Sequence, residues 1–469
     1  MGVRHDHTHD HNSNSIRGDK YIMRQKYKVR IGCGAGFSGD RLEPAVILAE
    51  KGDLDYLVLE CLAERTIALA QKRKAADSAQ GYDPLLERRI ELLLPLLKKN
   101  KIRLITNMGA ANPVAAADKI IWIAKKLGIS IKVAAVTGDD VLVHIRGDEI
   151  AMETGNPISW SGQLVSANAY LGADAILPAL QTGADIIITG RVADPSLFVA
   201  PLVHAFGWSL DDADMIAKGT VIGHLMECAG QITGGYFADP ITKPVENMST
   251  LGHPFADVYP DGRATIGKID GTGGTITLAT AKEQLLYEVT NPYQYMTPDV
   301  SADFTTVYLK QDGKDRIVVT GGSGSKKPST LKVSIGYKAG FTGEGEITYA
   351  GANALERARL AGETIQQRLN TQFPDLRVDY IGHTSVHPHS LANNYKPYEV
   401  RLRVTGKAAT ADEAAIIGQE VEALYTNGPA GGGGVRKYLN EIIGIVSILI
   451  DRNKTTSSVI VKSYEHQTL

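Results

Sequence analysis

Between residues 27 and 234 the chain alternates short, uninterrupted apolar runs with amphipathic stretches, and few folds accommodate that rhythm. Residues 28–33, 56–59, 102–106, 129–136 and 185–189 read as strands. Residues 102–106, 129–136 and 185–189 read as largely apolar runs, the mark of strands buried on both faces, so both faces are expected to be covered. Residues 43–51 read as a helix, with Pro44 in the first turn and Gly52 after the last. Residues 62–79 are rich in Ala, Leu, Glu, Gln and Lys, all good helix formers. Three further helices are announced by Asp83-Pro84, Asn112-Pro113 and Asp194-Pro195, each a side-chain capper before a proline that has no amide hydrogen to lose. This alternation predicts an α/β fold over 27–234, a doubly wound, mostly parallel Rossmann-like sheet with helices on both faces.

After 234 the helical period fades, and Gly, Thr and Pro are dense through 274. A boundary is expected near 235. Order then returns as strand 330–337, helix 351–371, strands 377–381 and 398–404, helix 412–425 and strand 442–450. That succession is the split βαβ, ferredoxin-like pattern, so a second α+β domain is expected within 235–469. Residues 1–22 carry His5, His7, His9 and His11 among Asp and Thr, with nothing apolar to fold them. They read as a disordered expression tag in preference to a metal site.

Composition narrows the function. Lys plus Arg is 50 against 52 for Asp plus Glu, a net charge of -2, and aromatics are 6%. Neither a basic footprint nor a stacking platform for nucleic acid is evident. The apolar run 442–450 is too short to span a bilayer, and no secretory signal opens the chain. Three cysteines, Cys33, Cys61 and Cys228, exclude a disulfide scaffold and fit a reducing cytoplasm. A homo-oligomer is the base expectation for a soluble protein of this kind.

Ligands of open α/β sheets bind beyond the carboxyl ends of the strands. Those ends read GCGAGFSGDR (32–41), Glu60-Cys61 with Glu64-Arg65, TNMGAANP (106–113), TGDD (137–140) and TGRVADPS (189–196). All five are glycine-rich, polar or charged, which predicts one composite pocket. In the first, Gly34, Gly36 and Gly39 match G-x-G-x-x-G, with Glu60 some distance on. Three readings stay open: a dinucleotide such as NAD(P), another anion held by Gly34, Gly36, Ser38 and Gly39, or a tight turn. Asp40 would repel a pyrophosphate unless Arg41 offsets it. Arg191, between Gly190 and the Asp194-Pro195 helix start, is either an anion clamp or a surface arginine. Asp194 is either a helix cap or one of a group of acids with Asp40, Glu60, Asp139 and Asp140. Glu60 is the preferred general base, Asp139 the second choice, and Asn107, beside Gly109, a stabiliser for an enolate oxygen. His224, Glu227 and Cys228 share a helix face and would make a metal site only with a fourth partner; otherwise that helix packs on the sheet. Cys61 is a nucleophile or a core cysteine. His383, His387 and His389, and the glycines 431–434 followed by Arg436, are either ligand contacts or ordinary loop. No serine-hydrolase elbow, P-loop or H-E-x-x-H string occurs.

The strings IGCGAGFSGDRLEPAVILAEKGDLDYLVLECLAERTIALAQ, ITNMGAANP, VTGDDV, ITGRVADPSLFVAPLVHAFGW, GHLMECAGQITGG and NGPAGGGGVR resemble the acyclic terpene utilisation (AtuA-type) family over roughly 28–450. The resemblance implies a place among enzymes that degrade branched and terpenoid acids as coenzyme A thioesters. It transfers no catalytic residue, because the family reaction has no firm assignment. Longer relatives carry a further small ferredoxin-like domain, which a separate small subunit would supply here. The combined expectation is lyase, hydratase or isomerase chemistry through an enolate on such an acid or thioester. A nicotinamide or flavin oxidoreductase, and a non-catalytic subunit, are the alternatives.

Overall fold

A computed structural model describes residues 27–387 and 395–467. The histidine-rich opening segment and His389 lie outside them. The chain runs through β1 (Val29–Ala35), α1 (Glu43–Lys51), β2 (Tyr56–Leu59), α2 (Glu64–Ala76), α3 (Leu86–Lys99), β3 (Arg103–Thr106), α4 (Pro113–Leu127) and β4 (Ile131–Thr137). It continues through β5 (Leu164–Ala169), α5 (Ala173–Gln181), β6 (Ile186–Thr189), α6 (Ser196–Phe206) and α7 (Ala213–Glu227). Then come β7 (Pro254–Val258), β8 (Ala264–Lys268), α8 (Leu278–Leu286), β9 (Tyr295–Met296), β10 (Ser301–Asp303), β11 (Tyr308–Gln311), β12 (Ile317–Thr320) and β13 (Ser323–Ser325). The last part holds β14 (Thr330–Ala350), α9 (Ala354–Leu369), β15 (Arg377–Ile381), β16 (Glu399–Ala408), α10 (Ala411–Asn427), β17 (Gly433–Asp451) and β18 (Ser458–Tyr464).

The main sheet has ten strands in the order β11-β12-β8-β7-β1-β2-β3-β6-β4-β18. Its centre, β1-β2-β3-β6-β4, is parallel. Successive residues of these strands go to two cores: Tyr56 and Val58 to one, Leu57 and Leu59 to the other. Residues of α5, α6 and α7 share the first core, and residues of α1, α3 and α4 the second. Covering both faces is why the strands read as continuous apolar runs. Of the three expected Asx-Pro helix starts, Asn112 is a cap: it accepts the Ala115 amide at 3.3 Å, Pro113 follows it, and Gly128 closes α4 at φ +65°. Asp83 instead accepts the Leu85 amide at 2.7 Å, and α3 starts at Leu86 without a side-chain cap.

The sequence reading did not find β5, nor the strands that widen the main sheet. β7, β8, β12 and β11 add antiparallel strands beyond β1, and β18 returns antiparallel to β4. β5 leaves the main sheet altogether and pairs with β14. The second sheet, β15-β16-β14-β17, is antiparallel throughout and carries α9 and α10 on its core side. Its strand–helix–strand–strand–helix–strand succession matches the expectation. β14 and β17, at 21 and 19 residues, run far beyond the expected strands: β14 pairs with β5 over 333–337 and with β16 over 341–350, and β17 accompanies β14 along almost its whole length. Among the described residues no helix is long and apolar enough to cross a membrane.

Candidate functional site

Beyond the carboxyl ends of β1, β2 and β6 lies a cavity of about 920 Å³. Of the residues singled out in the sequence, Gly36, Ser38, Asp40, Glu60, Cys61, Arg191, Asp194, Glu227 and Cys228 line it. Gly34, Gly39, Arg41, Asn107, Gly109, Asp139 and Gly190 do not appear in its wall. Further wall residues are Glu64 at the start of α2, Tyr170 after β5, His253 just before β7, Glu288 after α8, Tyr295 in β9 and Lys332 in β14.

The glycine loop is closed on itself. The Gly36 amide, one a bound phosphate would need, already donates to the Asp40 carboxylate at 2.6 Å. Ser38 Oγ donates to Asp83 at 2.6 Å, and the buried Arg89, which sequence reasoning missed, donates to the Ser38 and Asp40 carbonyls at 3.0 Å. Arg41 turns away and donates to the Met248 carbonyl at 3.1 Å. A Cβ on Gly36 would lie 2.6 Å from the Cys228 carbonyl carbon, so this glycine lets β1 pass against the end of α7. Gly36→Ala is expected to cost about 1–3 kcal/mol of stability, as overpacking does, with the midpoint of urea unfolding as the measurement.

Glu60 follows β2 and is 6% exposed. Its Oε1 accepts the Leu62 amide at 2.9 Å and Asn107 Nδ2 at 3.0 Å, while Asn107 Oδ1 accepts the Cys61 amide at 2.7 Å. Asn107 therefore orients Glu60 from behind and is fully buried. Burial, then the nearby Asp194 charge, pushes the Glu60 carboxyl well above the usual carboxylate range, against Arg191 and these hydrogen bonds. Glu227 is pushed up in the same way by burial, Asp194 and Glu288.

Arg191 is 1% exposed. It donates to the carbonyls of Val192 and Leu62, pairs with Asp194, and lies with its guanidinium carbon 4.5 Å from the Tyr170 ring centre. Burial opposes its charge, but Asp194, Tyr170, Glu60 and Glu64 outweigh that and hold its pKa above the ordinary value. Asp194 consequently does not cap α6, which starts at Ser196 without a side-chain cap. Lys332, from β14, sits 3.7 Å from Glu64 and 5.3 Å from the Tyr170 ring centre, and the Tyr170 hydroxyl donates to Glu64.

His253 Nδ1 lies 3.1 Å from the Gly34 carbonyl. A carbonyl only accepts, so Nδ1 carries the hydrogen and Nε2 keeps its lone pair. Burial lowers the pKa of this imidazole and keeps it neutral. The only sequence signal for His253 is its place in a glycine-dense stretch. Tyr236 and Glu288, both in the wall, hold φ at +61° and +57°, a costly backbone for non-glycine residues and one that clusters at functional sites.

The other candidates divide. His224 Nδ1 and Glu227 Oε1 are 3.1 Å apart, but no group of three or more His, Cys, Asp or Glu able to hold a metal occurs among the described residues. Burial raises the thiols of Cys33, Cys61 and Cys228, the opposite of nucleophile activation. Gly431 and Gly434 hold φ at +74° and +66° around the start of β17; they, Arg436, His383 and His387 all lie outside the cavity wall.

Asp139 braces the far side of the same loop. It accepts the Arg191 amide and Asn168 Nδ2, both at 2.8 Å, and a Cβ on Gly190 would meet its Oδ1 at 2.5 Å. Burial raises its pKa from 3.8 to about 6. A raised acid stabilises the fold while protonated, below 3.8, and loses that contribution as pH rises through 6. Asp139→Asn is therefore expected to gain about 2 kcal/mol relative to the parent between pH 4 and pH 7, read as the difference of two urea titrations at each pH. A constant difference would show that Asp139 ionises normally.

No curated protein and no solved structure matches the chain. One family does: the description "Acyclic terpene utilisation family protein AtuA" covers residues 29–461, so nearly every described strand and helix falls within it. The chain thus belongs to the AtuA family of acyclic terpene utilisation proteins.

Proposed function

We propose that this chain is a cytoplasmic catabolic enzyme that moves a proton beside the carbonyl of a branched or terpenoid acid or its coenzyme A thioester. The observation that carries the reading is Glu60, Asp194 and Glu227 gathered around one buried guanidinium, Arg191, in one cavity. Carboxyls crowded out of water titrate apart, so one serves as base while another stays protonated. Glu60 removes the proton, and the C–H electron pair moves to the carbonyl oxygen to give an enolate. Glu227, protonated, then returns a proton to carbon in an isomerase, or to a departing hydroxyl in a hydratase or lyase. Asn107 acts through Glu60 as a positioning residue. The apolar part of the wall, including Leu62, Met152 and Leu331, suits a branched hydrocarbon chain. The Gly36–Asp40 hydrogen bond counts against a dinucleotide on the first loop.

In the same reading the parallel strands form a doubly wound, Rossmann-like unit. The second sheet forms a split βαβ module, supported by its β15-β16-β14-β17 order, and the working unit is a homo-oligomer. The test is exchange of the hydrogen beside the carbonyl in D2O, followed by NMR on branched acyl thioesters and acids. Time-dependent loss of that signal with the protein, and none without it, is expected. No exchange with any of them rejects the reading.

A further inference from the structure

The charge balance of the cavity wall decides more than the presence of a base. Six carboxyl side chains line it, from Asp, Glu and the loops already described, against two cations, Arg191 and Lys332. Arg191 is committed, and Lys332 is partly exposed beside an acid of its own. Arg191 is paired with Asp194 and spends further donors on the Leu62 and Val192 carbonyls. Lys332 faces Glu64 at 3.7 Å and the Tyr170 ring. His253 is neutral, and its Nε2 accepts rather than donates. The Gly36 amide is taken by Asp40. Glu227 is 8% exposed, and its Oε2 has no hydrogen-bond partner among the described residues. A buried carboxyl oxygen left in that state needs a partner, and a ligand in the cavity is the available source.

From this balance we propose that the substrate presents an uncharged ester-type carbonyl to the cavity floor, and that the corresponding free carboxylate is excluded. The inference rests on the proton-transfer reading of the site and names the state of its substrate. An ionised carboxylate would meet like charge at short range, in a wall where carboxyl groups outnumber the two cations and each cation already faces one of them. A neutral carbonyl meets no such repulsion. It accepts a hydrogen bond from a protonated carboxyl such as Glu227, which also satisfies that group. The part of the molecule that carries permanent charge, such as the phosphates of a carrier, then lies outside this wall.

The experiment is calorimetric titration of the full chain at pH 7.5 with three matched probes bearing one branched chain. These are the neutral N-acetylcysteamine thioester, the free acid and the primary amine. The thioester is expected to bind at least tenfold more tightly than the acid, and the acid to gain at least tenfold on lowering the pH to 5, where a sizeable fraction is uncharged. An acid that binds at pH 7.5 as well as the thioester overturns the proposal. So does an amine that binds best, which would make the acidic wall a cation site, and so does failure of all three to bind. Deuterium exchange, run on the same samples, separates this from the functional reading. Selective thioester binding without exchange rejects proton transfer and leaves the head-group assignment standing. Exchange with acid and thioester bound alike rejects the assignment alone.

Discussion

Glu60→Gln is expected to slow deuterium exchange beside the substrate carbonyl by about 10²–10⁴-fold, the usual loss when a general base is removed. The substitution is close to isosteric. A glutamine oxygen in the Oε1 position still accepts from the Leu62 amide and Asn107 Nδ2, so the loop after β2 keeps its shape. Stability at neutral pH is expected to hold or rise, because burial penalises the Glu60 charge and the variant removes it. That combination, a large loss of rate without loss of fold, separates a catalytic role from a structural one. The parent's rate should also climb with pH as Glu60 ionises. Because its carboxyl titrates above the usual range, the rising limb is expected at higher pH than for an ordinary glutamate. A variant with unchanged exchange would move the base elsewhere, with His253 Nε2 next in line.

Arg191→Met is expected to destabilise the chain by about 3–5 kcal/mol, the cost of breaking a buried charge pair from one side. Methionine fills much of the volume but supplies no donor. The Leu62 and Val192 carbonyls lose their partners, and Asp194, Glu60 and Glu64 lose the positive charge that offsets them. Arg191→Lys is expected to recover only part of the loss, since one ammonium does not reproduce a planar fork spread over three acceptors. Urea unfolding followed by circular dichroism measures both. A loss under 1 kcal/mol for Arg191→Met would mean that the guanidinium is dispensable to the fold and would reopen its use as a substrate clamp.

The chemistry of the cavity floor was partly legible in the sequence. Glu60 was placed at the end of a buried strand, and the strand itself, 56–59, is where the apolar run put it. The five polar strand ends were also read correctly as local features. Their geometry was not. Asn107 was expected to face a substrate oxygen, and its amide instead bridges Glu60 and the Cys61 backbone. Arg191 was read as clamp or surface residue, and it is a buried hub. Of the two readings of Asp194, helix cap or member of an acidic group, the second holds for its place beside Asp40 and Glu60, because a charged neighbour three residues earlier competes for its carboxylate and wins. Tyr170 and Lys332 carry no signal, and His253 only its place in a glycine-dense stretch, because they are scattered in sequence and ordinary in their local context.

The amino-acid sequence by itself determined the central parallel strands, most of the helices between them and the order of elements in the second sheet, but not β5 or the strands that widen the main sheet. Those choices depend on burial periodicity and on Gly, Pro and capping residues within a few positions, which any local stretch displays. Only the tertiary structure decided which side chains share a wall. β5 leaves one sheet for another and brings Tyr170 to Lys332 across 162 positions of chain, and His253 reaches back to the Gly34 carbonyl. The charge state of the site follows from that convergence. Desolvation and the pairing of Arg191 and Lys332 exist only once distant segments have excluded water together, and no spacing along the chain encodes them.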